Sequence, residues 1–289
     1  MTTTTDDSRT ARLGGRYGVW RSGLDLDGAF AAQVERLGYG ALWVGGSPDG
    51  TLAKPEELLG ATSTLVVGTG IVNIWASPAD EAAASTRRVL AAYPGRFLLG
   101  VGTGHREASG AKAATPYAAL VEYLDALAAD DVPRDHVLLA ALGPRVLGLA
   151  RDRTAGAHPY LVTPKHTREA RDTLGTEPLL VPEQHVVLDA DAARAREAAR
   201  TALTVYLGMA NYRNAWLRLG FTEDDLAAGG SDGFIDAVVA HGTPAQVAAR
   251  LAEHLDAGAD QVAVQLVAGE PGEPVEDGFG RLAAELGLG

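Results

Sequence analysis

Residues 93–104 read Tyr-Pro-Gly-Arg-Phe-Leu-Leu-Gly-Val-Gly-Thr-Gly and follow a segment of helical character at 81–92. Pro94 and Gly95 are residue types that end a helix, and the apolar run after them is typical of a buried strand. Glycines at positions 100, 102 and 104 then leave little but backbone at the end of that strand. The stretch therefore predicts a helix, a tight turn and a buried strand that ends in a glycine-rich loop.

The same order of helix, glycine and apolar strand returns along the chain. Phe30, Val34 and Leu37 share one helical stripe, and a glycine and a buried-strand run follow them. Strands are predicted at residues 17–20, 41–44, 65–72, 96–101, 137–142, 157–162, 179–188 and 261–267. Apolar strands that alternate with helices indicate a parallel sheet covered on both faces, and eight of them fit an α/β fold of the (βα)8 TIM-barrel type.

An open doubly wound sheet is the alternative architecture. It would place a nucleotide-binding glycine motif directly after the first strand. The turn at residues 21–24 reads Arg-Ser-Gly-Leu and carries no such motif. This difference favours the closed barrel.

The predicted barrel occupies residues 16–289 as a single domain. Residues 191–241 do not show the alternation of helix and strand, because they read as helix or loop throughout. We expect a helical insertion there between strands seven and eight. A lid, an oligomer contact and plain helical packing are alternative roles for this insertion. Residues 1–15 are polar and rich in threonine, so we expect a flexible N-terminal tail.

Composition limits the class of function. Of the 289 residues, 46% are hydrophobic and 21% are charged, as in globular proteins. The net charge of −12 argues against nucleic acid or an anionic membrane as a partner. The chain has no cysteine, which excludes disulfides and thiolate chemistry, and no histidine or carboxylate motif has metal-ligand spacing. We assign no metal, and the lack of an apolar run of membrane-spanning length makes a cytoplasmic location the expectation.

In a (βα)8 barrel the active site lies at the carboxyl ends of the strands. The fourth strand ends in Gly102, Thr103 and Gly104, where bare backbone suits an anion or a flat ring, although a purely structural turn is the alternative. His105 follows at once, and histidine is the side chain best suited to proton transfer near neutral pH. We predict His105 as the catalytic residue, with a solvated loop histidine as the alternative.

Small residues flanked by tryptophans also end the second and third strands. Trp43 precedes two glycines at 45–46, and Trp75 follows the glycine-rich end of strand three. Such an arrangement leaves room and apolar walls for a planar aromatic cofactor, and ordinary barrel packing is an equal alternative. After strand five, Pro144 suits the first turn of a helix whose N-terminus could receive a phosphate.

Three polar residues lie inside predicted strands. His158 is near the start of the sixth strand, where a packing role is favoured. Glu183 and His185 alternate to the same side of the seventh strand. They form a polar layer near the site if that side is the barrel interior, and otherwise they face a helix.

Six segments, taken together and in order, resemble the luciferase-like monooxygenase superfamily and, within it, the oxidoreductases that use the deazaflavin coenzyme F420. They are residues 37–44, 68–73, 93–104, 140–144, 156–160 and 242–244. The likeness extends from about Arg16 to Val267, and 93–104 is its most specific piece.

The resemblance implies a barrel that binds coenzyme F420, transfers hydride between it and a small organic substrate, and forms a homodimer. It also implies a cis peptide bond between Gly70 and Ile71, in a bulge that supports the cofactor ring. The cofactor-binding residues that we predict on this basis are Gly45, Gly46, Gly70, Ile71, Asn73, Gly102, Thr103, Gly104, Ala141, Leu142, Gly143 and Lys165. Further basic candidates for the anionic tail of the cofactor are Arg106, Lys112 and Arg145.

The sequence departs from the family at two positions. Sugar-phosphate and alcohol dehydrogenases of this family carry a histidine after strand two and an acid after strand four, where this chain has Gly45 or Gly46 and His105. These differences leave the identity of the substrate undetermined. They do not affect the expectation of hydride transfer, because the cofactor supplies that chemistry. Two alternatives remain: an FMN-dependent monooxygenase or reductase on the same barrel, and a non-catalytic relative that binds a flavin or an apolar ligand.

Overall fold

A computed structural model describes residues 4–104, 115–268 and 276–289, with side chains from residue 8 onward. The strands are β1 (Tyr17–Ser22), β2 (Ala41–Gly45), β3 (Val66–Thr69), β4 (Val72–Asn73), β5 (Phe97–Gly102), β6 (Val137–Leu139), β7 (Gly156–Ala157), β8 (Leu179–Leu180), β9 (Glu183–Val187), β10 (Val239–His241) and β11 (Val262–Leu266). The helices of the first half are α1 (Thr4–Arg12), α2 (Gly28–Arg36), α3 (Ala53–Gly60), α4 (Ala79–Ala92), α5 (Pro116–Ala129) and α6 (Pro144–Arg153). Those of the second half are α7 (Pro164–Leu174), α8 (Ala192–Leu207), α9 (Ala210–Arg218), α10 (Glu223–Leu226), α11 (Asp232–Val238), α12 (Pro244–Asp256) and α13 (Glu276–Glu285).

The described strands pair in parallel and curl into a barrel. The order is β10-β9-β11-β1-β2-β3-β5-β6-β7-β8, with β4 paired to β5. The segment 179–187 closes the barrel, because its two halves pair with different neighbours. Leu180 in β8 pairs with Ala157 of β7, and Gln184 in β9 pairs with Val264 of β11. The predicted (βα)8 TIM-barrel class is confirmed, with helices packed around the parallel sheet.

Two of the predicted strands are interrupted. The third divides into β3 and β4 at Gly70 and Ile71, and the peptide bond between these two residues is cis, as predicted. The seventh divides into β8 and β9 at Val181 and Pro182, because proline has no N–H to donate to a neighbouring strand. The carbonyl of Pro182 still accepts from Ala263 N at 2.9 Å, so the barrel wall continues past the proline.

The insertion between strands seven and eight has a core of its own. Trp216 and Phe234 are fully buried within it, and Trp216 Nε1 donates to the carbonyl of Leu161 at 3.1 Å, which attaches the insertion to the barrel rim. The interpretation of 191–241 as helix or loop throughout is wrong at its end, where β10 pairs with β9 through Ala240 and Val186. β9 pairs with β11 on one side and offers its other edge to this short strand.

The N-terminal segment differs from the flexible tail expected over residues 1–15. Residues 4–12 form helix α1, and Leu13 after it is fully buried in the barrel interior. Arg9 Nε lies 2.7 Å from Asp260 Oδ1, and Gln261 Nε2 donates to the carbonyls of Leu13 and Gly15 at 2.8 Å. Asp260 and Gln261 lie far along the chain from this segment, so the polar composition of residues 1–15 could not indicate these contacts.

Candidate active site

A cavity of about 420 Å³ opens at the carboxyl ends of the barrel strands. One half of its wall comes from the ends of strands two to five and contains Gly46, Gly70, Ile71, Thr103, Gly104, Ala140, Ala141, Leu142 and Gly143. The other half comes from strands one and six and from the insertion, and contains Trp20, His158, Tyr160, Tyr206, Asn211, Tyr212, Asn214 and Arg218. The first half is rich in glycine and alanine, and the second is rich in rings and also carries two amides and the guanidinium of Arg218.

Most of the predicted cofactor-binding residues lie in the first half. Gly46, Gly70, Ile71, Thr103, Gly104, Ala141, Leu142 and Gly143 line the cavity. Gly104 has a φ of +55°, and a Cβ there would lie 2.6 Å from Asn73 Nδ2. This close contact, together with the left-handed backbone, requires glycine at position 104.

Four of the predicted residues are not brought to the cavity wall. A Cβ on Gly45 would lie 2.0 Å from a ring atom of Trp20, so Gly45 makes room for that tryptophan. A Cβ on Gly102 would lie 2.8 Å from the Cβ of Ala140, so Gly102 serves packing between strands.

The other two are held by backbone partners. Asn73 Oδ1 accepts from Trp75 N at 2.9 Å, which stabilises the turn after β4. Lys165 Nζ donates to the carbonyl of Leu219 at 2.8 Å, so it ties α7 to the insertion. Of the other basic candidates, Arg145 stacks on Tyr117 with its guanidinium carbon 3.7 Å from the ring centroid. His105, Arg106 and Lys112 lie outside the described residues.

The bulge at Gly70 and Ile71 forms part of the cavity wall. A Cβ on Gly70 would lie 2.6 Å from Trp20 Nε1 and 3.0 Å from His158 Nε2. Both nitrogens are buried and have no hydrogen-bond partner within the described part of the chain. Two large rings therefore press against the bulge, and only glycine fits between them.

His158 packs inside the barrel as well as lining the cavity. Its ring stacks on Trp43 at a centroid distance of 4.6 Å, and its Nδ1 donates to the carbonyl of Val181 at 2.7 Å. Burial lowers the pKa of His158 to about 4, although the hydrogen bond to Val181 opposes this shift. His158 is therefore neutral at neutral pH.

Arg218 and the N-terminus of α6 meet at the end of strand five. The carbonyl of Leu142 accepts from His166 Nε2 at 3.0 Å and from Arg218 Nη2 at 3.2 Å, which fixes the backbone before the helix. Gly143 is the N-cap of α6 and makes no side-chain cap, and Pro144 follows it. The first turn of α6 lies beside a guanidinium, an arrangement that suits an anionic group.

Four rings form what we call the aromatic wall: Trp20, Tyr160, Tyr206 and Tyr212. The ring centroids of Trp20 and Tyr160 lie 5.2 Å apart, as do those of Tyr206 and Tyr212. The hydroxyls of Tyr160 and Tyr206 are 3.0 Å apart, and Tyr160 donates to Gln265 Oε1 at 2.9 Å. Sequence reasoning did not assign a site role to this wall, because half of it comes from the insertion.

Glu183 and His185 lie behind the aromatic wall. His185 Nδ1 is 2.6 Å from Glu183 Oε1, and both side chains are buried. Glu183 Oε2 accepts from Leu161 N at 3.0 Å, and the ring of His185 meets Tyr160 edge-on at 5.4 Å. The pair therefore forms a polar layer that supports Tyr160.

Within the described ranges, no group of three histidine or carboxylate side chains is placed to hold a metal ion. In those same ranges, no helix has the length and apolar character needed to cross a membrane.

Comparisons with known proteins find a family match over part of the chain and a shared fold. The model of the luciferase-like monooxygenase family matches residues 23–129. None of the curated proteins matches the sequence significantly. An F420-dependent secondary alcohol dehydrogenase in complex with an F420-acetone adduct is 15% identical, with a TM-score of 0.71 over 93% of this chain and 97% of its own.

Two further solved structures share the fold. The coenzyme F420-dependent tetrahydromethanopterin reductase from Methanopyrus kandleri is 17% identical, with a TM-score of 0.69 over 94% of this chain and 98% of its own. The oxygenating constituent of 3,6-diketocamphane monooxygenase from Pseudomonas putida, in complex with FMN, is 12% identical, with a TM-score of 0.63 over 94% and 98%. The resemblance to the luciferase-like monooxygenases that the sequence indicates is therefore confirmed, by the family match in residues 23–129 and by the shared barrel fold.

Proposed function

We propose that the protein is an oxidoreductase that binds coenzyme F420 in this cavity and transfers hydride between the cofactor and a small organic substrate. The observation that carries the proposal is the first half of the cavity. It joins a wall rich in glycine and other small residues to a helix N-terminus beside Arg218. A planar ring with an anionic tail is the kind of ligand that matches both features.

The residues present fit the ring of a deazaflavin. Gly70 and Gly104 bring bare backbone to the wall, and Ile71 is the larger side chain between them. Close packing of Gly70 against Trp20 and His158 fixes the bulge from behind. These residues would hold the ring and keep water from one of its faces.

The residues at the end of strand five fit the phosphate of the cofactor tail. Gly143 leaves the first turn of α6 without a side-chain cap, and Arg218 lines the cavity next to it. The net charge of −12 opposes the binding of an anionic cofactor, and a local positive group offsets that repulsion.

The deazaflavin, when bound, supplies the hydride chemistry. The chain's own residues position the ring against the bulge, hold the tail at α6 and surround the substrate. His105 stays our prediction for the group that gives or takes the proton. A homodimer and a cytoplasmic location also stay predictions.

FMN is the second candidate cofactor, because one structure with the same fold contains it. Its ring and phosphate would meet the same wall and the same helix N-terminus. Two of the similar structures are described as F420-dependent, which supports the deazaflavin as the first candidate.

We expect coenzyme F420 to stabilise the folded protein more than FMN does at equal concentration. Ligand that binds only the folded state adds RT ln(1 + [L]/Kd), about 2.7 kcal/mol at a hundredfold excess over Kd. Thermal unfolding with each cofactor in turn measures the difference. Equal or greater stabilisation by FMN would assign the site to FMN, and the absence of any shift with either would reject a flavin-type cofactor.

A further inference from the structure

A second space lies next to the candidate active site, between three helices. It is a crevice of about 400 Å³ lined by residues of α6, α7 and α9, and we call it the side crevice. Leu142 and Arg218 line both the side crevice and the active-site cavity. The two spaces therefore adjoin at the end of strand five, where the first turn of α6 begins.

Much of the lining of the side crevice is apolar. Pro144 and Leu147 of α6, Ala170 of α7, and Ala215 and Leu219 of the insertion all contribute to it. Methylene groups of a ligand that lay against these side chains would leave water, which favours binding.

His166 adds a hydrogen-bond acceptor to this lining. Its Nε2 lies 3.0 Å from the carbonyl of Leu142, which can only accept, so Nε2 carries the proton. Burial lowers the pKa of His166, so the ring is neutral at neutral pH and Nδ1 keeps its lone pair. Nδ1 is buried and has no hydrogen-bond partner within the described part of the chain. A ligand with an N–H group, such as an amide, would satisfy this acceptor.

Two exposed side chains of opposite charge complete the lining. Arg218 donates through Nη2 to the carbonyl of Leu142 at 3.2 Å, and its guanidinium has further N–H groups for a carboxylate. Glu169 on α7 accepts hydrogen bonds but repels a carboxylate placed beside it. The side crevice therefore suits a chain of methylene and amide groups whose carboxylate lies at the Arg218 end.

We propose that the side crevice holds the tail of coenzyme F420 beyond its phosphate. The inference rests on the proposed function, since a phosphate at the first turn of α6 brings the tail to Leu142 and Arg218. This tail consists of glutamate units joined by amide bonds, so it carries the three kinds of group that the lining matches. His166 would accept from an amide N–H, and Arg218 would donate to a carboxylate.

The test compares two forms of the cofactor on the full chain. One is intact coenzyme F420, and the other lacks the glutamate units but keeps the ring and the phosphate. Titration of the deazaflavin fluorescence at low salt gives a Kd for each form. We expect the intact form to bind at least about 3-fold more tightly, within the range of one neutral hydrogen bond. Without a site for the tail, the net charge of −12 would weaken the more anionic form.

Glu169→Lys reverses the charge at the side crevice. It should raise the preference for the intact form by about 2- to 10-fold at low salt, because it replaces a repulsion with an exposed ion pair. Glu285→Lys is the matched control, since Glu285 is an exposed glutamate of α13 that lines neither space. It makes the same change of net charge and should leave the ratio of the two Kd values unchanged.

Thr173→Trp tests the position of the tail by filling space. Thr173 is a half-buried residue of α7 that lines the side crevice but not the active-site cavity. The variant should remove the preference for the intact form and leave the Kd of the shortened form within about twofold.

The outcomes separate this inference from the proposed function. Failure of both forms to bind would reject the proposed function. Equal binding of the two forms, or weaker binding of the intact form, would overturn the side crevice as the tail site and leave the proposed function standing. A ratio that stays the same in Glu169→Lys, or that changes as much in Glu285→Lys, would also overturn it.

Discussion

Asp260→Ala is expected to lower the free energy of unfolding by about 3–5 kcal/mol, the usual cost of removing one member of a buried ion pair. The carboxylate is almost fully buried beneath the barrel and accepts from Arg9 Nε at 2.7 Å, from Arg171 Nη2 at 2.8 Å and from Leu180 N at 2.8 Å. Its removal leaves two guanidinium groups and a strand N–H without their common partner. Chemical denaturation followed by tryptophan fluorescence measures the loss.

Asp125→Ala is the control for this prediction. Asp125 pairs with Arg153 at 2.6 Å, but the side chains are 60% and 36% exposed, so the loss should stay below about 1 kcal/mol. Similar losses for the two variants would show that the buried hydrogen bonds of Asp260 contribute little to stability.

Arg218→Ala is expected to weaken coenzyme F420 by about 10- to 100-fold, because a hydrogen bond to a charged group contributes about 1.5–3 kcal/mol. Arg218 lies beside the uncapped N-terminus of α6, where we place the phosphate. Its hydrogen bond to the carbonyl of Leu142 also links the insertion to this site. Titration of F420 fluorescence at low salt gives the affinity.

Arg194→Ala removes the same charge from α8 at a position that does not line the cavity and that pairs with Asp189, so it should leave the affinity within about twofold. Raising the ionic strength should weaken F420 binding to the unchanged protein more than to Arg218→Ala. An Arg218→Ala variant that binds F420 normally would place the phosphate elsewhere.

The barrel could be predicted from the sequence because each of its strands carries a local signal. Apolar runs between glycine or proline turns mark the strands, and the glycines at 100, 102 and 104 mark the end of the fourth. The bulge at Gly70 came from the family resemblance, and the structure explains that glycine by the approach of Trp20 and His158.

The rest of the site depends on contacts between distant residues, which periodicity does not reveal. Gly102 and Gly104 look alike in the sequence, but Gly102 packs on Ala140 and only Gly104 lines the cavity. Lys165 follows a strand end, but its ammonium group donates a hydrogen bond to the carbonyl of Leu219 in the insertion. Arg218 and Tyr206 belong to a segment without the alternation of strand and helix. The sequence feature that could have indicated a site there is the aromatic cluster at 206–216 within a helical stretch.

The position of the cofactor ring in a crystal structure of the complex with coenzyme F420 tests the account most directly. We predict that the deazaflavin ring lies against the peptide of Gly70 and Ile71, at the van der Waals distance of about 4 Å. Its phosphate should lie at the first turn of α6 within hydrogen-bond distance of Arg218. A ring bound outside the cavity, or a phosphate that contacts neither α6 nor Arg218, would contradict the account.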